Sequence, residues 1–249
     1  MSLICTTYIP EGIVLAADSR MTVNMNVINK ESPDKSITHI FTASDNSQKV
    51  FLLKKVQVGL SIIGGIHAID DKPIPEFISD FERYEISDKD SIHRIADKLS
   101  NISKRFPNML TIHLAGYEAG EPVFYSIQGE KCSRLNKKGD NIQYGITWSG
   151  EAGLIQKMMM AEPKMIIDFK NFNINDCVDF SDFLISTVIN SQRFELKPKT
   201  CGGPIDILIL TRDGAQWYRH KRFDNHFIPI PSSQSCDSYM VDKNGNPIN

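Results

Sequence analysis

Short apolar stretches at residues 3–9 and 13–17 are separated by Pro10-Glu11-Gly12, which predicts a first hairpin. Two more strands are expected at Lys49–Leu53 and Val56–Ile63, closed by Gly64-Gly65. The period then changes. Ile74, Phe77, Ile78 and Phe81 recur at helical spacing, as do Ile92, Ile95, Ala96 and Leu99, with Ser91 as N-cap and Pro107 past the end. Strands return at Met109–Tyr117, Val123–Gln128, near Lys131–Leu135 and at Ile142–Thr147. A third helix is expected between Ser149-Gly150 and Pro163, and a fourth carries Phe180, Phe183, Leu184, Thr187 and Val188 on one face. After Gly202-Gly203 comes the most apolar strand, Ile205–Thr211, and a return strand follows Asp213-Gly214.

In order, this pattern is ββββ-αα-ββββ-αα-ββ. Strand groups alternating with helix pairs predict an α+β fold, a four-layer αββα sandwich with two antiparallel sheets between two helix layers. The expected organisation is one domain over residues 1–225, carrying a polar excursion at 23–48, and an irregular Pro/Ser-rich tail at 226–249.

Composition then narrows the chemistry. Of 249 residues, 41% are hydrophobic and 23% charged, as in ordinary globular proteins. A net charge of -2 gives no electrostatic case for nucleic acid or an anionic membrane, and no apolar run is long enough to span one. The N-terminus lacks the pattern of a signal peptide, so its first residues are expected to remain. Five scattered cysteines without a CxxC pair argue against a disulfide framework or a structural zinc site and suggest a reducing cytoplasm. Phosphate-binding glycine loops and HExxH are absent, so neither a cofactor nor a metal is expected. His67 and His93, near helix starts, read as solvated residues, Cys5 as a small apolar strand residue, and Met158-Met159-Met160 as helix packing.

Several strings resemble one family in order. Gly12-Ile-Val-Leu-Ala-Ala-Asp-Ser-Arg-Met-Thr22 resembles the segment after the N-terminal threonine of proteasome β-subunits. Lys49-Val-Phe-Leu-Leu, then Val58-Gly-Leu-Ser-Ile-Ile-Gly-Gly65, resemble that family's lysine strand and glycine turn. Leu114-Ala-Gly-Tyr117, Ser149-Gly150 and Gly202-Gly203-Pro-Ile-Asp-Ile-Leu-Ile-Leu210 continue the likeness. Over about residues 2–222 the chain is therefore similar to proteasome-type N-terminal-nucleophile hydrolases, including the bacterial proteasome-related peptidases.

The resemblance implies a peptidase or amidohydrolase whose nucleophile is Ser2, bared when Met1 is removed. Thr6 and Thr7 lie too close to Asp18 for that role. The α-amine of an N-terminal serine has an ordinary pKa of about 7.7–8.0 and can serve as its own general base. By the same resemblance Lys49 sits beside the nucleophile and Asp18 orients it. Lys35 is a rival for Lys49, because the excursion lengthens the interval after Asp18. Gly64 supplies an oxyanion N–H, Thr22 binds substrate backbone as an added strand, and Ile62 lines an apolar first specificity pocket. Ser149 is implied to hydrogen-bond the amine, although Ser149 before Gly-Glu-Ala also reads as a helix N-cap.

Two departures matter. Where the family has an aspartate and a serine near the amine, this chain has Pro198 and Cys201. They favour a second reading, a proteasome-like subunit that assembles or binds with little or no turnover. A third is an amide hydrolase for small molecules. The resemblance further implies peptide or unfolded-protein substrates, a homo-oligomeric ring or stacked ring, and partnership with an ATP-dependent unfoldase.

Overall fold

The computed structural model describes residues 2–28, 36–162, 164–221, 240–241 and 247–248. Its first half contains β1 (Leu3–Tyr8), β2 (Ile13–Ala17), β3 (Met21–Ile28), β4 (Ser36–Ser44), β5 (Val50–Leu53), β6 (Val58–Gly64), β7 (Ala68–Ile69) and β8 (Lys72–Pro73). Helices α1 (Ile74–Asp80) and α2 (Ile92–Ser103) follow. Next come β9 (Leu110–Glu118), β10 (Glu121–Gln128), β11 (Lys131–Arg134), β12 (Lys137–Lys138), β13 (Asn141–Ile142) and β14 (Gly145–Gly150). Helices α3 (Gly153–Met160) and α4 (Ile174–Ser191) precede β15 (Asp206–Thr211), β16 (Gly214–Arg219), β17 (Met240–Val241) and β18 (Pro247–Ile248).

Two five-stranded antiparallel sheets hold the core, in the orders β14-β1-β2-β15-β16 and β11-β10-β9-β6-β5. Alternation along each strand divides its side chains between two faces. Ile4, Tyr8, Ile13, Leu15, Leu208 and Leu210 of the first sheet pack against Val50, Ile63, Ala115 and Phe124 of the second. Gly59 permits this approach, since a Cβ there would lie 2.8 Å from Leu15 Cδ1. On its other face the first sheet meets α4 through Cys5, Val14, Leu184 and Ile185, while the second meets α2 through Leu60, Ile95 and Leu114.

The expected α+β four-layer sandwich needs correction. The structure is mostly β, with 39% strand against 24% helix, several antiparallel sheets and, among the described residues, four α-helices, and these do not make a clear αββα arrangement. Proline and the ends of apolar periodicity explain the shortfall in helix. Helix α1, entered at Pro73, lasts 7 residues before a π-turn at Phe81–Glu85, and α3 lasts 8. Residues 164–173 are not helical.

The described residues of the polar excursion include paired strands not expected from the sequence. Strands β3 and β4 form a long antiparallel ribbon from Met21↔Ser44 to Ile28↔Ser36. In the tail, β17 and β18 pair as a two-stranded ribbon, and its remaining residues lie outside the described ones. No helix among the described residues is long and apolar enough to cross a membrane.

Candidate active site

The site forms where β1 begins, β2 ends and β5 begins. Antiparallel pairing puts Ile4 opposite Ala17, so residue 2 and Asp18 meet at the same sheet end. Asp18 is buried, and its carboxylate is fully engaged. Oδ1 accepts from Lys49 Nζ at 2.7 Å and from the Leu3 N–H at 2.9 Å. Oδ2 accepts from the N–H groups of Arg20 at 3.1 Å and Gly202 at 3.0 Å. Four donors fill the acceptor capacity of an ionised carboxylate. Asp18 thereby fixes the start of β1, the lysine and the Gly202 loop together.

Lys49 is the residue just before β5, and its side chain is only 6% exposed. Burial, which disfavours the ammonium, lowers its pKa from the usual lysine value; the neighbouring Asp18 carboxylate opposes that shift. The rival Lys35, like Met1, lies outside the described residues.

Ser2 and Lys49 line one cavity of about 400 Å³ with Thr22, Ile62, Gly64 and His67. Residues from the first hairpin and from the β5–β6 region thus line one concave site. Ser2 is half-buried, and its carbonyl accepts from the Glu151 N–H at 2.8 Å. The Ile62 N–H donates to the Lys49 carbonyl at 2.9 Å. By strand alternation the N–H of Gly64, two residues on, points to the same side, past the start of β5. Glycine is required at 64 because a Cβ would lie 1.9 Å from the Met109 carbonyl oxygen. Apolar lining comes from Ile62, Ile66, Ile74 and Leu110, together with Pro73 and Pro75. His67, read as merely solvated, is exposed but belongs to this lining.

Ser149 is not the helix N-cap that its sequence context suggests. It lies within β14 opposite Ile4, not at a helix start, and α3 begins at Gly153 without a side-chain cap. Gly150, at φ +100°, carries the chain past Ser2, whose carbonyl oxygen would be 1.8 Å from a Cβ there. The Ser149 hydroxyl is 3.0 Å from Nε2 of His113, and Nδ1 of that ring is 2.8 Å from Thr6 Oγ1. His113 was not singled out from sequence. Only its place in the alternation of β9 hints that it faces the other sheet.

A Ser149–His113 dyad invites comparison with a serine hydrolase pair. Burial lowers the His113 pKa to about 3, and Thr6 stands where such a pair would need a carboxylate. This imidazole is a poor proton acceptor, which argues against Ser149 as the nucleophile.

At the departures from the family pattern, Pro198 is exposed and brings no carboxylate. Cys201 is buried, its thiol pushed up to about 12 by burial. Gln192, just beyond α4, holds this loop instead. Its Oε1 accepts from the Thr200 and Cys201 N–H groups at 2.8 and 3.0 Å. The loop continues to Gly202, whose N–H reaches Asp18. Gly202 and Gly203 also pass the foot of the β3–β4 ribbon, where Arg20 grips Asp45 through Nε at 2.6 Å and Nη2 at 2.9 Å. A Cβ on Gly202 would lie 2.6 Å from the Arg20 guanidinium carbon, and one on Gly203 would lie 2.1 Å from the Asp45 carbonyl oxygen.

Among the described residues, no cluster of three or more His, Cys, Asp or Glu side chains is arranged to hold a metal ion. Neither a comparison with protein-family models nor a search of curated proteins finds a match to this chain.

Proposed function

We propose that the chain is an N-terminal serine hydrolase of proteasome type that cleaves peptide or amide bonds. What carries the reading is the convergence of Ser2, the buried Lys49–Asp18 pair and Gly64 on one cavity. With Met1 removed, the α-amine takes the Ser2 hydroxyl proton as Oγ bonds to the substrate carbonyl carbon. The Lys49 ammonium, held by Asp18, favours the neutral amine by like-charge repulsion and stabilises negative charge developing at Oγ. Gly64 donates its N–H to the carbonyl oxygen as that oxygen becomes an anion. Collapse breaks the C–N bond, and the leaving amine takes the proton from the α-ammonium. Water then hydrolyses the Ser2 ester and restores the free hydroxyl. Thr22 aligns the substrate backbone, and the Ile62, Ile66 and Leu110 walls select an apolar side chain before the cleaved bond.

The test combines intact mass with covalent labelling. The expected mass lacks Met1, and a β-lactone should add its whole mass to the wild type but not to Ser2→Ala. Retained Met1 sinks the mechanism. Labelling that survives Ser2→Ala but disappears in Ser149→Ala moves the chemistry to the histidine-linked serine.

Exposed Pro198 and the buried Cys201 thiol favour one alternative, a subunit with little turnover that serves assembly or binding. An unlabelled Ser2 in protein that lacks Met1 would support it. A cytoplasmic ring that receives unfolded protein from an ATP-dependent unfoldase belongs to the same proposal through the resemblance. Native mass checks that assembly, and a monomer at micromolar concentration would argue against it.

A further inference from the structure

His113 lies between the two five-stranded sheets, fully buried, and packs edge-on against Phe124 with ring centroids 5.2 Å apart. A polar ring in such surroundings costs stability unless its nitrogens are hydrogen-bonded. Both are satisfied, by Thr6 and Ser149. Ser61 is directly opposite His113 in the β6–β9 register, and its hydroxyl is buried with no hydrogen-bond partner. Polar groups are therefore concentrated in this part of an otherwise apolar interior.

The position connects His113 to the N-terminus. Ser2, Ile4 and Thr6 alternate onto the same face of β1, and Ser149 is the cross-strand partner of Ile4. Ser149 is consequently one rung from Ser2 on the face that His113 touches. Diagonal neighbours of this kind have Cα atoms about 7–8 Å apart, within reach of side-chain groups.

We infer that His113 is a positioning residue for the α-amine of Ser2, acting through Ser149 as a neutral ring with its proton on Nδ1. In this state Nδ1–H donates to Thr6 Oγ1, and Nε2 accepts the Ser149 O–H. The lone pairs of Ser149 are then available to the amine's N–H groups, while the amine lone pair stays free to take the Ser2 proton. The opposite tautomer would turn the ring into the donor and release the Ser149 O–H. That hydrogen would compete for the very lone pair that acts as base. Burial also holds the imidazole pKa near 3, which keeps the ring neutral at working pH. The inference rests on the proposed N-terminal serine mechanism.

Two measurements on the full-length chain test it. Long-range proton–nitrogen spectra of histidine-labelled protein, assigned with His113→Gln, should show Nδ1 as the protonated nitrogen. A protonated Nε2 would overturn the assignment. Second, β-lactone labelling of Ser2 should slow about 10- to 100-fold in His113→Leu, the scale of a misplaced catalytic group. His113→Gln should recover to within about threefold of wild type, because Oε1 can accept from Ser149 at the old Nε2 position. Wild-type labelling rates in folded His113→Leu would overturn the inference and leave the hydrolase reading intact. If His113→Leu does not fold, Ser149→Ala takes its place, with the same loss expected, and an unchanged rate would overturn the inference. Failure of wild-type Ser2 to react overturns the parent reading, a result distinct from each of these.

Discussion

Lys49–Asp18 and Lys221–Asp206 are two buried ion pairs of the same chemistry in adjoining positions. Their side-chain exposures are 6% and 0% in the first pair, 5% and 1% in the second. Asp206 is even the cross-strand partner of Ala17, immediately before Asp18. Their surroundings differ. Asp18 gathers three backbone N–H groups besides its lysine, and Lys49 borders the cavity. Lys221 donates to Asp206 and, at 2.9 Å, to Ser19 Oγ, while the Ser19 hydroxyl donates to the Pro204 carbonyl at 2.6 Å. The second pair joins three chain segments, and neither of its residues lines the Ser2 cavity. An ion pair gains a chemical task from the space beside it, not from its burial alone.

The sharpest way to break the comparison is to remove each carboxylate. Asp18→Asn and Asp206→Asn each leave a lysine buried without its counter-charge, a change that typically destabilises by about 3–5 kcal/mol. Urea denaturation should find both losses. Ser2 labelling per folded molecule should disappear only in Asp18→Asn and stay within about threefold in Asp206→Asn.

Removing the lysines should separate stability from chemistry. In Lys49→Met, Asp18 keeps three N–H donors, whereas Asp206 in Lys221→Met keeps the residue-221 N–H at 3.1 Å. Lys221→Met is therefore expected to cost more stability, by about 1–2 kcal/mol, the scale of a hydrogen bond or two. Labelling should nevertheless fall about 100-fold in Lys49→Met alone, as for loss of one preorganised charge-stabilising group. Equal labelling in the two variants would remove Lys49 from the mechanism.

A smaller effect lies in the pH dependence. The folded pKa of Lys49 is lowered by burial, while the unfolded chain keeps the ordinary value of 10.5. Below the folded value both states are protonated and the burial penalty is complete. Between the two values the unfolded state binds more protons, so stability rises with pH, by at most about 1.4 kcal/mol per unit. Subtracting the curve of Lys49→Met should isolate this rise. A difference that is flat or falls across that window would contradict the direction of the shift.

Local hydrophobic pattern revealed most strands, because the central ones are buried on both faces and read as short apolar runs. It also revealed α2, where Ser91 accepts from the Arg94 N–H at 3.1 Å as an N-cap should. The β3–β4 ribbon was missed although Met21, Val23, Met25 and Val27 alternate strictly; abundant Asn, Ser and Lys masked the pattern. The approach of Asp18 to the start of β1 follows from hairpin register, which the turn makes readable. The Ser149–His113 contact joins strands from different sheets, and no local pattern encodes the packing of one sheet on another. Nor could spacing show that Gln192 holds the loop bearing Cys201, since the two belong to separate elements.

The Arg20–Asp45 grip has a consequence for how this molecule can change. Those residues bracket the ribbon in sequence, and the passing glycines lock them to the loop that serves Asp18. The paired strands β3 and β4 are thus an appendage closed at its own root. Closing a flexible loop costs only about 0.6 kcal/mol more for each doubling of its length. The outer ribbon is accordingly the place where sequence can be lengthened, trimmed or exchanged while the root residues, Thr22 among them, keep their station at the cavity.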